Sequence, residues 1–329
     1  MGPSRRGFLR LAAGAAALPT TPLIGRAETF PSRPITMVVP AAVGGPTDTL
    51  GRIVGERMAR ALRQTIIYEN MGSAGGSIAV GRAARAAPDG YTLSIGHWTT
   101  HVANGAVYTL SYDLIGDFDP VALLASPPLM IVSTNAIPAK DLKGLIAWLK
   151  ANPDKASEGT GGAGAPSHIS GLQFQALTGT RFQFVPYRGA APAMQDLLAG
   201  QIELMFDQVP NSLPQVNAGR IRAYAVTAKT RLAIAPDIPT VDEAGLPGFY
   251  FSNWHGLWVP KGTPEDAVAR LNAAVVETLA DSDVRARLAQ LGFEIFAREQ
   301  QTPAALRAHQ KAEMEKWWPI IRAAGIKAE

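Results

Sequence analysis

The sequence predicts an α/β protein built as two lobes with a ligand cleft between them, and three observations carry that prediction. Short β-branched or apolar runs alternate with helix-period segments along most of the 329 residues, which is the rhythm of a parallel sheet covered by helices. The rhythm breaks at Pro127-Pro128, restarts, and meets Pro236-Asp237-Ile238-Pro239 before an aromatic-rich stretch, so the chain is expected to cross twice between two units. The length suits about two domains, and 47% hydrophobic residues give both a core.

Each element follows from a local pattern. Residues 35–40 form a β-branched run closed by a proline and read as a strand, and 49–62 read as a helix because Leu50, Ile53, Val54, Met58 and Leu62 recur at steps of three and four. Residues 65–70 predict a strand, 78–87 a helix and 92–96 a strand, and 118–125 are extended up to the proline pair. A second unit opens with a strand over 129–135 and a helix near 142–151. Strands at 182–187, 202–207 and 221–228 follow, with helices between them. The segment 236–239 is a return linker, 252–260 is extended, and 265–279 and 303–324 are long helical patterns that close the chain. Residues 28–128 and 236–329 are then expected to form one lobe and 129–235 the other, with the binding site in the cleft.

The formal charge of +4 suggests a nucleic-acid partner until the charges are located. Arg5, Arg6, Arg10 and Arg26 all precede the first acidic residue, Glu28. Ser4-Arg5-Arg6-Gly7-Phe8-Leu9-Arg10, an apolar run over 11–18 and small residues at Gly25 and Ala27 read as a twin-arginine signal peptide over residues 1–27. Without those four arginines, 27 basic residues face 27 acidic ones. The excess charge therefore belongs to an export signal, and no nucleic-acid partner is expected. No stretch of about 18 consecutive apolar residues follows, so the mature chain is expected to be soluble and to work in the periplasm. With no cysteine there is no disulfide, thiolate metal site or cysteine nucleophile.

Three stretches share one design, in which a strand ends, glycines follow and a helix begins: residues 40–48, 71–77 and 159–168. Glycine admits a ligand close to the backbone, and the first helical turn offers unpaired N–H groups and a positive dipole end, so each loop suits an anion. The alternative is a set of ordinary tight turns with Asp48 and Ser167 as helix caps. Gly159, Gly161 and Gly164 match G-x-G-x-x-G. A dinucleotide site is nonetheless rejected, because no acidic residue lies between Glu158 and Asp196 to take the ribose. No nucleophile elbow, H-E-x-x-H or phosphate-loop motif occurs, and no catalytic residue, metal or cofactor is assigned. His97 and His101 stand four apart without an acidic neighbour, a poor metal pair. His168 at a helix start and Asp207 at the end of an apolar strand could face the cleft, or act as the bases of an exported hydrolase for which no nucleophile is evident.

The motifs then converge in order along the chain. They are Pro40-Ala41-Ala42-Val43-Gly44-Gly45-Pro46-Thr47-Asp48, Glu69-Asn70 before Gly75-Gly76, Ala87-Pro88-Asp89-Gly90-Tyr91-Thr92-Leu93, Val185-Pro186-Tyr187-Arg188-Gly189, Asp196-Leu197-Leu198, Phe206-Asp207, Ala225-Val226-Thr227, Pro239-Thr240 with Glu243-Ala244-Gly245, and Ala324-Gly325-Ile326-Lys327. Together they resemble the periplasmic solute receptors of tripartite tricarboxylate transporters, the Bug family, over essentially the whole mature chain. The resemblance implies a type II periplasmic-binding-protein fold that closes on a small organic carboxylate without a catalytic step. It also implies a monomer that docks on transmembrane permease subunits, or the same fold serving a sensor kinase. By match, the ligand loops are Ala41, Ala42, Gly44, Gly45, Thr47 and Asp48 in one lobe and Thr160, Gly161, Gly162, Gly164, Ser167 and His168 in the other, with Asp207 as the acid facing the ligand. Met71-Gly72 departs from the Arg-Pro usual in the family, and Gly159-Thr160 with Ala165-Pro166 varies its serine-rich glycine loop.

Overall fold

The computed structural model describes residues 30–72, 74–187 and 189–327; the leader expected over 1–27 and Arg188 lie outside them. In chain order the elements are β1 (Ile35–Val39), α1 (Pro46–Leu62), β2 (Ile66–Asn70), α2 (Ser77–Ala84), β3 (Thr92–His97), the short α3 (Asn104–Val107), β4 (Phe118–Leu123), β5 (Ala125–Ser126), β6 (Leu129–Thr134), α4 (Leu142–Ala151), β7 (Ser157–Thr160) and α5 (Pro166–Thr178). They continue with β8 (Gln183–Pro186), α6 (Ala190–Leu198), β9 (Leu204–Gln208), α7 (Val209–Asn217), β10 (Ile221–Val226), β11 (His255–Pro260), α8 (Glu265–Ala280), α9 (Ser282–Gln290), β12 (Glu294–Ile295) and α10 (Pro303–Ala323).

The strands form two five-stranded sheets of identical plan. One has the order β2-β1-β3-β11-β4 and the other β8-β7-β9-β6-β10. In each sheet the fourth position holds the strand that the chain enters after crossing from the other sheet, and that strand runs antiparallel to its neighbours. The parallel strands need helical crossovers, which α1, α2, α5 and α6 supply. This is the two-lobed α/β topology of type II periplasmic binding proteins. The outgoing and returning connections run side by side, with Asn253 N donating to Pro127 O at 3.2 Å and a bridge between Pro128 and Ser252. Residues 236–239, whose composition suggests the return linker, still lie along the second sheet. There Val226 N donates to Pro239 O, and Val241 N donates to Val226 O.

Local chemistry explains most boundaries and several departures from the expected ones. α1 starts at Pro46 rather than at residue 49, because proline's fixed φ suits the first helical position and it has no N–H to leave unpaired. Its apolar stripe, Leu50, Ile53, Val54, Met58 and Leu62, is buried against β1 and β3, each side chain contributing about 1.5–3 kcal/mol. β7 is a strand that composition hides, since Ser-Glu-Gly-Thr has little β propensity; it is held between β8 and β9. α9 also goes unforeseen, and its start is fixed by Asp281, whose carboxylate accepts from Asp283 N and Val284 N. α10 is capped by Thr302, which accepts from Ala305 N, and buries Leu306, Gln310, Met314, Trp317 and Ile321 one turn apart. Trp98, Phe251 and Trp317 meet edge to face within a core cluster that continues to Phe174, Phe206 and Phe249 of the second sheet.

Candidate functional site

The glycine-rich loops leave the carboxyl ends of parallel strands in both sheets, and two of them are built alike. In the first, Gly44 takes φ +82°, Gly45 is the extended N-cap, and Pro46, Thr47 and Asp48 form the first turn of α1. In the second, Gly164 takes φ +73°, Ala165 is the extended N-cap, and Pro166, Ser167 and His168 form the first turn of α5. In both, the glycine amide is held by the side chain four residues on: Gly44 N donates to Asp48 Oδ2 at 2.8 Å and Gly164 N to His168 Nδ1 at 3.3 Å. The preceding turn closes in the same way, with Gly45 N donating to Ala42 O and Ala165 N to Gly162 O. Neither helix has a side-chain cap, so Asp48 and Ser167 sit inside the first turn instead of capping it. The amides of Thr47, Asp48, Ser167 and His168 have no acceptor among the described residues. Each lobe thus presents a pair of free donors at the positive end of a helix of 13 or more residues.

The side chains of these loops are largely committed to holding the backbone. Asp48, 1% exposed, accepts at Oδ2 from Gly44 N and Arg52 Nε and at Oδ1 from Asn70 Nδ2, which also donates to Ala41 O. Burial would push its pKa up, but these hydrogen bonds outweigh burial and hold the carboxyl below its ordinary range. The Thr47 hydroxyl lies 3.0 Å from His255 Nε2. Ser167 Oγ accepts from Gly161 N, and Thr160 Oγ1 accepts from Gly162 N. His168 stands edge-on to Phe184, burial lowers its pKa, and its Nδ1 accepts from Gly164 N.

The third glycine stretch serves as a buttress. Gly72 packs so tightly on the first loop that a Cβ there would stand 2.9 Å from Ala42 N, and one on Gly76 would stand 2.8 Å from Pro40 Cβ. Asn104 Nδ2 fixes it from α3 by donating to Gly75 O. Across the lobes, the second loop meets α3 at Gly164, where a Cβ would stand 2.8 Å from Val107 Cγ2. Gly159 and Gly161 bring no dinucleotide geometry; Gly159 makes room for Ile202 and Ala193.

Asp207 lies at the same strand edge as Thr160, because β9 and β7 are parallel neighbours in register at Leu204 and Glu158. Its carboxylate, 3% exposed, accepts at Oδ2 from Asn211 Nδ2 and Ser212 Oγ, both at 2.7 Å. Burial pushes its pKa up to about 6 against the pull of those donors. Sequence reasoning missed Asn70 and Arg52 as the partners of Asp48 and His255 as the partner of Thr47. The first two lie on β2 and one turn along α1, and only the quoted Glu69-Asn70 gave a hint of them. His255 is more than two hundred residues from Thr47 in the chain, and no local pattern connects them. His97 and His101 do not share a helix face: His97 closes β3 beside His255, with ring centroids 5.6 Å apart, while His101 stacks on Trp258. Among the described residues no cluster of three metal-ligating side chains occurs, and no helix is long and apolar enough to cross a membrane.

Comparison with known proteins adds a family to this geometry. Residues 50–326 match the model of the tripartite tricarboxylate transporter family receptor. A protein of Agrobacterium vitis, encoded in the TAR-I ttuE-ttuC' intergenic region, is 42% identical over 298 residues, which is 91% of this chain and 86% of that protein. MatC of Rhodopseudomonas palustris, solved with bound malate, is 42% identical at a TM-score of 0.80, over 89% of this chain and all of that one. A second R. palustris protein, solved with adipate, is 33% identical at a TM-score of 0.84, over 91% of this chain and all of that one.

Proposed function

This chain belongs to the tripartite tricarboxylate transporter receptor family, whose members are solute-binding receptors and not enzymes, and from that premise we propose that it captures a small organic carboxylate between its lobes. In this reading it works in the periplasm as a monomer and delivers the ligand to transmembrane permease subunits. The observation that carries the reading is the duplicated loop: two proline-started helices, one per sheet, each with a free pair of first-turn amides held in place by an internal side chain. A carboxylate placed between them accepts from both lobes at once, so both donor sets are satisfied only when the lobes close. Neither loop carries a lysine or arginine, so capture rests on amide dipoles rather than on ion pairs. Ala41, Ala42, Gly44 and Gly45 shape the first half of the cradle with the amides of Thr47 and Asp48. Thr160, Gly161, Gly162 and Gly164 shape the second with the amides of Ser167 and His168. Asp207, protonated for part of the time near pH 6, offers the ligand a hydroxyl rather than a full negative charge.

The malate and adipate seen in the two R. palustris relatives support the carboxylate class and set the first probes. A thermal-shift screen over di- and tricarboxylates should raise the melting temperature for at least one of them, since a ligand that binds only the folded state stabilises it. Thr160→Asp, which sets a carboxyl where the buried end of β7 opens into the second loop, should abolish that rise in a variant whose circular dichroism matches the wild type. Undiminished carboxylate affinity in the variant would refute the loop assignment.

A further inference from the structure

His255 is the first residue of β11 and has no exposed surface. Its Nε2 lies 3.0 Å from the hydroxyl of Thr47, which is 5% exposed and stands in the first turn of α1. The residues around His255 are where the two interlobe connections meet. Its own carbonyl accepts from Leu124 N at 2.9 Å, the carbonyl of Trp254 accepts from Trp98 N at 2.9 Å, and Asn253 N donates to Pro127 O. One buried side chain therefore joins the strands beside the interlobe crossings to the helix end that offers the first pair of amides.

We propose that His255 is a positioning residue for ligand capture, holding the Thr47 hydroxyl so that the angle between the lobes and the orientation of the first ligand loop change together. The proposal rests on the carboxylate-capture reading above. The bond is suited to this role because both partners are buried and neutral. Burial keeps the His255 ring well below its usual pKa, and the neighbouring His97 ring acts in the same direction. A neutral imidazole holds the hydroxyl in either tautomer, as donor or as acceptor. Breaking such a bond leaves two buried polar atoms unpaired, a larger loss than the bond's net worth in water. A rotation that displaces the start of β11 is therefore answered by movement of Thr47 rather than by rupture. Conversely, a ligand seated on the Thr47 and Asp48 amides biases the connections.

The test compares Thr47→Val, which removes the hydroxyl at nearly constant volume, with Thr47→Ser, which keeps it, and with His255→Phe and the Val/Phe double variant. Amide hydrogen exchange at Thr49 and Leu50, the first hydrogen-bonded amides of α1, measured without ligand, should accelerate about tenfold in Thr47→Val and in His255→Phe. It should accelerate no further in the double variant and return to the wild-type rate in Thr47→Ser. The chain contains no cysteine, so spin labels on Ala289→Cys and Leu177→Cys, exposed positions on α9 and α5, report the lobe separation alone. That distance distribution should broaden in Thr47→Val and stay as in the wild type in Thr47→Ser. Unchanged exchange in Thr47→Val, or losses that multiply in the double variant, would overturn the proposal. If His255→Phe does not fold, the Val and Ser variants at residue 47 decide it. Malate titrated onto the labelled wild type is a separate arm. No response there removes malate as a ligand without touching the exchange result, whereas a response should be about tenfold weaker in Thr47→Val than in Thr47→Ser.

Discussion

Replacing Asp207 with asparagine should make the protein more resistant to unfolding at alkaline pH than at acid pH, relative to the wild type. Burial raises the folded-state pKa of this carboxyl from 3.8 to about 6, a shift of roughly two units, and each unit corresponds to about 1.36 kcal/mol. Because the folded value lies above the unfolded one, the stability linked to the bound proton is fully present below pH 3.8 and is lost as the pH rises through 6. The wild type therefore gives up about 3 kcal/mol at this one group between about pH 4 and about pH 8. Asparagine carries no charge at any of these values, and its carbonyl oxygen can still accept from Asn211 Nδ2 and Ser212 Oγ. The other titrating groups are common to both proteins and cancel in the difference. Urea unfolding at five pH values across that range gives the difference directly. It should grow in favour of Asp207→Asn by about 3 kcal/mol from the acid to the alkaline end, with its midpoint near pH 5. A difference that stays flat, or that moves the other way, would show that the Asp207 carboxylate is not paying a desolvation penalty in the folded protein.

Two further substitutions probe the loops and the frame that carries them. Gly164→Ala forces an alanine into φ +73° and sets its Cβ 2.8 Å from Val107 Cγ2, whereas Gly219→Ala meets a similar φ of +69° with open space around it. Calorimetry should show about 1–2 kcal/mol lost at Gly219 and a larger loss at Gly164, and equal losses would mean that the contact between the second loop and α3 is not formed. Thr302→Ala removes the hydroxyl that accepts from Ala305 N at the start of α10 and should cost about 1 kcal/mol in chemical denaturation, with Thr302→Ser restoring most of it.

What could be read ahead of the structure follows from how far each signal reaches. The alternation of apolar runs and helix-period segments gives α1, α8 and α10, because a buried stripe at steps of three and four is written within a dozen residues. β7 escapes because its four residues become a strand only through the neighbours that pair with them on both sides. Residues 236–239 show the same limit. A Pro-Asp-Ile-Pro run reads as a linker, yet Val226 captures the backbone at Pro239 and Val241 and keeps the segment against the second sheet.

Glycines and prolines mark two helix starts after strand ends on local grounds, since glycine admits the positive φ found at Gly44 and Gly164 and proline suits the first helical position found at Pro46 and Pro166. What their side chains are for depends on residues that the fold brings in from elsewhere. Asp48 reads as a ligand-loop residue or a helix cap in the sequence, but Asn70 from β2 and Arg52 saturate it, and Thr47 is claimed by a histidine more than two hundred residues along the chain. Backbone conformation is set by neighbours a few bonds away. The charge and hydrogen-bonding state of a buried group are set by whatever the fold brings within about 3 Å, and that distance bears no relation to separation along the chain.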